Sequence, residues 1–115
     1  MKNIIKIVSL RKNSPFKSSQ GDLVFPIHRG NKILGNPFVM KDFSDKERQR
    51  VIQEYKQKLD MDLARRGPIY AELRKIAHHH AQTGRTIALE CWCAPEACHG
   101  DLMVPIIEAF IKEST

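Results

Sequence analysis

Residues 86–112 constrain the fold most strongly, because they join an extended segment to an amphipathic helix through a short loop. Residues 86–93 are rich in apolar and β-branched side chains, which predicts a strand. Residues 102–112 carry apolar side chains at helical spacing, which predicts a helix. A strand that leads directly into a helix is typical of α/β domains, in which ligands favour the carboxyl ends of the strands.

Two more strands are predicted in the first third of the chain. Residues 4–10 and 23–29 are both apolar and β-branched, and polar residues with Gly and Pro separate them. Pro26 lacks a backbone N–H group, so it places the second of these strands at a sheet edge or a bulge.

Two more helices are predicted between the second and third strands. Ser44 and Glu47 have the spacing of a capping box ahead of a long amphipathic segment. Gly67 and Pro68 break that segment, and Pro68 suits the first turn of a second helix, which ends before Gly84.

The resulting order β-β-α-α-β-α predicts one small α/β domain. We expect a partly parallel sheet of three to four strands flanked by helices, with Rossmann-like layering. At 115 residues the chain is long enough for one compact domain and too short for two. Residues 1–115 are therefore taken as a single domain, with 1–21 as a basic N-terminal strand and loop and 22–113 as its core.

The charge is uneven along the chain. The formal net charge is +6, and the first twenty residues contain no acid but five cations, which are Lys2, Lys6, Arg11, Lys12 and Lys17. Such a segment attracts anions, including nucleic acid, although an ordinary solvated basic face has the same composition.

The three cysteines fall within eight positions rather than forming a dispersed, even set. That pattern indicates reduced thiols rather than the disulfide framework of a small secreted domain. Neither a long apolar run nor a signal-peptide pattern is present in the sequence, so we expect a cytoplasmic protein without a membrane partner.

The loop between the third strand and the last helix carries the densest chemistry. In one interpretation it is an anion site, where unpaired N–H groups at the helix start hold a phosphate and the same partial charge lowers the pKa of Cys98. Cys98 would then be the nucleophile, His99 an acid, base or phosphate ligand, and Asp101 an orienting or N-cap residue. Trp92 and Gly100 complete the predicted ligand contacts in this loop.

Two other interpretations of this loop stay open. Cys91, Cys93, Cys98 and His99 have the right types and number for zinc, the one cofactor that the sequence suggests, but their spacing differs from that of the usual zinc motifs. Alternatively, the cysteines are small buried hydrophobic residues behind a tight turn, and only the backbone there is special. In the anion-site interpretation, Cys91 and Cys93 shape the floor beneath the ligand.

A second loop follows the predicted second strand and suits a phosphate or a sugar. It combines a guanidinium, glycines that allow close backbone approach, an amide and an aromatic ring. The predicted ligand-binding residues in it are Arg29, Gly30, Gly35, Asn36, Pro37 and Phe38.

Together the two loops form a specific pattern: Arg-Gly, then Leu-Gly-Asn-Pro-Phe, then Cys-Trp-Cys-Ala-Pro-x-x-Cys-His-Gly-Asp. With this pattern the chain resembles the DUF4326 family of domains of unknown function found in bacteria and phages, over about residues 24–110. The resemblance implies that both loops belong to one shared pattern, and it implies no catalytic role. The chain departs from that pattern at Pro105 and at the run His78-His79-His80.

These observations lead to two hypotheses about function. In the first, both loops meet at the carboxyl edge of the sheet and bind a nucleotide or another phosphorylated small molecule. In the second, the chain is a nucleic-acid or protein interaction module that uses its basic N-terminal face, and its cysteine loop is structural or holds zinc. The sequence leaves open whether the first kind of site would be that of a Cys/His-dependent nucleotide-processing enzyme.

Overall fold

A computed structural model of the chain describes residues 4–92 and 98–113. The elements follow one another in the predicted order. They are β1 (Ile5–Ser9), β2 (Leu23–Pro26), α1 (Asp45–Arg65), α2 (Pro68–Thr83), β3 (Ile87–Cys91) and α3 (Gly100–Glu113). The small α/β fold predicted from the sequence is confirmed.

The three strands form one sheet in the order β1-β3-β2, and both pairings are parallel. Ile5 of β1 and Leu23 of β2 both lie opposite Ile87 of β3. β2 pairs with β3 alone, so Pro26, its last residue, lies on an edge strand as predicted. Because the strands are parallel, their carboxyl ends meet at one edge of the sheet. The predicted Rossmann-like layering stays a prediction.

All three strands end earlier than the sequence predicts, β1 by one residue at Ser9. β2 was expected to reach residue 29 and stops at Pro26, although the Ile27 N–H still donates to the Glu90 carbonyl at 2.9 Å. β3 was expected over 86–93 and runs only from Ile87 to Cys91, with Trp92 in a bend. Each early end leaves more of the following loop near the sheet edge.

The start of α1 agrees with the predicted cap. The Ser44 hydroxyl accepts a hydrogen bond from the Glu47 N–H at 3.2 Å. The Glu47 carboxylate binds the Lys41 N–H and the Arg50 guanidinium, and these contacts hold the pKa of Glu47 at about 2, with Arg50 as the larger cause.

The start of α2 is capped from a distance. Gly67 precedes the helix and has no side chain to offer, so the buried carboxylate of Asp62 accepts from the N–H groups of Ile69 at 3.1 Å and Tyr70 at 2.7 Å. α2 ends at Gly84, whose φ of 71° is left-handed, as the sequence predicts.

Pro105 lies inside α3, in its second turn. The predicted start of this helix, residue 102, is wrong by two residues, because the chain already turns helically at Gly100. A proline here removes one backbone donor, but Pro105 is on the exposed face, where the carbonyl left without a partner can reach water.

The core lies between the sheet and the helices. Ile87 and Leu89 of β3 are fully buried, together with Tyr55 of α1, Leu73 of α2 and Ile107 of α3. Within residues 4–92 and 98–113, no helix combines the length and the apolar character needed to cross a membrane.

Candidate functional site

A cleft of about 650 Å³ lies where the carboxyl ends of all three strands meet. Arg11 enters it from the loop after β1, His28 and Arg29 from the loop after β2, and Cys91 and Trp92 from the end of β3. The volume is within the range of small-molecule sites, roughly 300–1,000 Å³. The two loops that the sequence singles out therefore border one cleft.

One side of the cleft is apolar and continues into α1. It is lined by Phe38, Val39, Met40, Phe43, Val51 and Ile52. Trp92 lines the cleft as well. Phe43 and Trp92 are largely exposed, with exposed fractions of 93% and 56%. Exposed aromatic rings beside an apolar concave surface form the kind of patch that a ligand or a partner covers.

The charged groups among the described lining residues are all cations. Arg11, Arg29 and Arg48 line the cleft, whereas no Asp or Glu does so among the described residues. Arg29 is exposed, and within residues 4–92 and 98–113 no hydrogen bond or ion pair holds its guanidinium. The three guanidiniums make the described part of the cleft lining positive, which favours the binding of an anion.

The loop after β2 is shaped by Asn31. Its side-chain amide donates to the Pro26 carbonyl at 2.8 Å, and its carbonyl oxygen accepts from the N–H groups of Ile33 and Leu34. Gly35 closes the loop, since an added Cβ there would lie 2.5 Å from the Asn31 carbonyl oxygen and 2.6 Å from that of His28. The close approach that Gly35 allows is thus to the backbone of its own loop.

Asn36 joins this loop to α1. Its amide donates to the Val51 carbonyl at 3.1 Å and accepts from the Phe38 N–H at 2.9 Å. Asn36 lines the cleft, but both ends of its amide already have partners in the protein. It positions the apolar wall, and Arg29 is the better placed of the two to meet a ligand.

Cys91 and Cys98 meet at the floor of the cleft. Their Sγ atoms lie 3.5 Å apart, and the exposed fractions of the two residues are 1% and 3%. This distance permits a hydrogen bond between thiols and exceeds the S–S bond length of about 2.05 Å. Cys93, which the sequence predicts beside them, lies outside the described residues.

His99 is buried against Tyr55, with the two ring centroids 4.7 Å apart. Its Nε2 donates to the Ile27 carbonyl at 2.8 Å, because a carbonyl only accepts. Burial lowers the pKa of His99 below its ordinary value, and the Ile27 carbonyl opposes that shift. Burial likewise raises the pKa of Tyr55, whose hydroxyl donates to the Leu34 carbonyl at 2.9 Å. The side chain of His99, the residue that precedes α3, is therefore connected to the residue that follows β2.

The backbone N–H groups at the start of α3 are occupied. The Gly100 N–H donates to Cys98 Sγ at 3.1 Å, and the Cys98 N–H donates to the Asp101 carboxylate at 3.1 Å. The N–H groups of Asp101 and Leu102 donate to the carbonyls of Cys98 and His99. The prediction of unpaired N–H groups here is wrong at these four residues, because the chain satisfies them itself.

This arrangement also changes the predicted role of Asp101. The residue lies inside the first turn of α3 rather than at its N-cap. Cys98 takes the capping position instead. Its sulfur accepts a hydrogen bond from the Gly100 N–H, and its own N–H donates to the Asp101 carboxylate, as in a capping box. Gly100 is packed into the core, since an added Cβ would lie 2.6 Å from Ile27 Cδ1.

The structure brings most of the predicted site residues to one place. Those that line the cleft are Arg29, Gly30, Asn36, Phe38, Cys91, Trp92, Cys98 and His99. Gly35, Pro37, Gly100 and Asp101 are not among the lining residues. In the described part of the chain, no three His, Cys, Asp or Glu side chains are arranged to hold a metal ion. The zinc hypothesis needs Cys93, which falls outside that part.

Sequence reasoning missed several residues that line the cleft, including two arginines and an exposed phenylalanine. Arg48 comes from the first turn of α1, Phe43 immediately precedes its cap, and Arg11 lies in the basic N-terminal loop. Phe43 had a signal: an apolar residue just before the N-cap often packs against the fourth residue of the helix, but that residue here is Arg48. Arg11 was noted only for its charge.

The chain matches the model of one protein family over most of its length. The model of a domain of unknown function, DUF4326, matches residues 8–109. The chain belongs to the DUF4326 family. The match begins within β1, so the basic loop at Arg11, which we had set apart from the core, lies inside the DUF4326 domain. No curated protein and no solved structure matches the chain.

Proposed function

We propose that the cleft binds a nucleotide or another phosphorylated small molecule. The observation that carries this proposal is that three arginines line the same cleft as a group of apolar and aromatic side chains. One guanidinium can donate two parallel hydrogen bonds to two oxygens of a phosphate, and it is less strongly hydrated than an ammonium group. Arginines therefore favour a phosphate ligand. Arg29 is the proposed principal phosphate contact, with Arg11 and Arg48 beside it.

The apolar side of the cleft favours an organic phosphate over a bare inorganic anion. Phe38, Phe43 and Trp92 supply aromatic surface there, and Phe43 and Trp92 are largely exposed. Stacking of a base on an aromatic side chain contributes about 1–3 kcal/mol. A planar base at these rings with its phosphate at the arginines would use both parts of the cleft.

Thermal denaturation with a panel of candidate ligands tests the proposal. Nucleoside monophosphates should raise the melting temperature, since a ligand at a hundred times its Kd adds about 2.7 kcal/mol to stability. The matched nucleosides, which lack the phosphate, and inorganic phosphate, which lacks the base, should each raise it less. If a nucleoside and its monophosphate raise the melting temperature equally, the phosphate group does not contribute to binding and the proposal is wrong.

Catalysis in this cleft, if the ligand is a substrate, would fall to Cys98. Its sulfur accepts the Gly100 N–H, a contact that stabilises a thiolate more than a thiol. We expect iodoacetamide to alkylate Cys98 faster than Cys91 or Cys93, and a nucleoside monophosphate to slow that reaction. Peptide mapping by mass spectrometry measures both rates. Equal slow alkylation of all three cysteines, unchanged by the nucleotide, would refute a nucleophilic role for Cys98.

The alternative, a nucleic-acid or protein interaction module on the basic N-terminal face, is less well supported. Lys6 is paired with Asp22 at 2.7 Å, and Lys17 donates to the carbonyls of Ser9 and Arg11. Salt-sensitive retention on DNA or RNA, lost when Arg11, Lys12 and Lys17 are neutralised together but kept in Cys98→Ser, would favour this alternative. A cytoplasmic location and a bacterial or phage origin accompany both proposals.

A further inference from the structure

Cys91 and Cys98 are placed to react with each other. Their Sγ atoms lie 3.5 Å apart, and their backbones belong to two elements of the core, the end of β3 and the residue pair before α3. A disulfide requires the sulfur atoms to close to about 2.05 Å, a movement of roughly 1.5 Å that side-chain rotation can share between them. The pair does not need a large rearrangement to become covalently joined.

The two cysteines border the cleft although they are almost completely buried. A small oxidant that enters the cleft comes next to these two residues, whereas the cleft is too small to admit a partner protein. This combination differs from that of two cysteines packed inside a closed core.

We infer that Cys91 and Cys98 form a redox-active dithiol that a peroxide converts to a disulfide. The inference goes beyond ligand binding and does not depend on it. The Cys98 thiolate attacks a peroxide oxygen, the O–O bond breaks, and a sulfenic acid forms as hydroxide or alkoxide leaves. The Cys91 thiol then attacks the Cys98 sulfur, an S–S bond forms, and the sulfenic oxygen leaves as water. A dithiol reductant restores both thiols by exchange.

The hydrogen bond from the Gly100 N–H to Cys98 assigns the order of these steps. The Gly100 N–H donates to Cys98 Sγ at 3.1 Å, and the residue caps the first turn of α3. A thiolate is the species that reacts with a peroxide, and a donor aimed at the sulfur favours it. Cys98 is therefore the sulfur that is oxidised first, and Cys91 is the one that resolves it.

Peptide mapping of the whole chain after treatment with hydrogen peroxide tests the inference. Cleavage after Glu90, Glu96 and Glu108 separates Cys98 from a peptide that contains both Cys91 and Cys93. In the wild-type chain and in Cys93→Ser, the two peptides should become linked, with the loss of two hydrogen atoms and of both thiols. Dithiothreitol should separate them again.

Two variants decide which cysteine resolves Cys98. In Cys91→Ser the link should be lost, and dimedone should trap the sulfenic acid at Cys98, provided that circular dichroism shows the variant to be folded. Cys93→Ser tests the inference independently, because Cys91 is then the only partner left. An unlinked Cys93→Ser chain, or a link that persists in Cys91→Ser, would overturn the inference.

Discussion

Replacing His99 with alanine should lower the free energy of unfolding by about 3 kcal/mol, because a buried ring and its hydrogen bond are lost together. The ring packs against Tyr55, and its Nε2 donates to the Ile27 carbonyl. Without it, a cavity opens beside Tyr55 and a buried carbonyl loses its donor. Urea denaturation followed by circular dichroism measures the change.

A matched exposed residue provides the control. His78 lies on the exposed face of α2, so His78→Ala should change stability by less than about 0.5 kcal/mol. Similar losses in His78→Ala and His99→Ala would contradict a stabilising role for the contact between His99 and the Ile27 carbonyl.

The same histidine predicts a pH dependence with a definite sign. Burial lowers the pKa of His99 in the folded protein, so below the ordinary value of 6.5 the unfolded chain binds the extra proton first. The stability that depends on a neutral His99 is complete above that value and is lost as the pH falls towards the folded pKa. His99→Gln keeps a donor for the Ile27 carbonyl but does not titrate, so its stability should decline less than that of the wild type over this range.

Replacing Arg29 with glutamine should weaken the binding of a nucleoside monophosphate at least about tenfold. A charge-assisted hydrogen bond contributes about 1.5–3 kcal/mol, and 1.4 kcal/mol corresponds to a factor of ten. Arg29 lines the cleft and is exposed, so its removal should leave the fold intact. Isothermal titration calorimetry gives the two dissociation constants.

Lys32→Gln is the matched control for this experiment. Lys32 belongs to the same loop and is exposed, but it is not among the residues that line the cleft. The two variants make the same change in net charge. An equal weakening by both would mean that general electrostatic attraction, rather than a contact from Arg29, controls binding.

The elements of the fold could be predicted because their determinants are local. Ser44 and Glu47 lie three residues apart, and Gly67 and Pro68 are adjacent, so a helix start and a helix break can each be recognised within one turn. The order of the elements was correct for the same reason. Their ends were less accurate: β3 stops at Cys91 and α3 begins at Gly100, where turns rather than side-chain periodicity decide.

The features that were missed depend on contacts between distant residues. Asp62 reads in the sequence as one more acid on α1, yet it is the buried cap of α2. The bond from His99 to the Ile27 carbonyl joins residues 72 positions apart. No local pattern contains such pairs, because the fold alone brings them together.

The candidate site falls between these two cases. The loops around Arg29 and Cys98 could be recognised from their residue types, and parallel strands bring their ends together. Residue types could not show that the N–H groups at the start of α3 are already bonded, or that both ends of the Asn36 amide are used. Because these groups already have partners, the proposed phosphate site lies at the arginines rather than at the start of α3.

In the proposed function, the cleft holds an organic phosphate whose base lies against Phe38, Phe43 and Trp92. Trp92 is the only tryptophan of the chain, it lines the cleft, and it is 56% exposed. Its fluorescence therefore reports on this cleft and on no other part of the protein.

Titration of Trp92 fluorescence with nucleoside monophosphates is the most direct test of that claim. We expect saturable quenching with a shifted emission maximum, a weaker response to the matched nucleoside, and a right-shifted curve in Arg29→Gln. Fluorescence that stays unchanged while calorimetry detects binding of the same nucleotide would contradict the account, because the ligand would then occupy a different site.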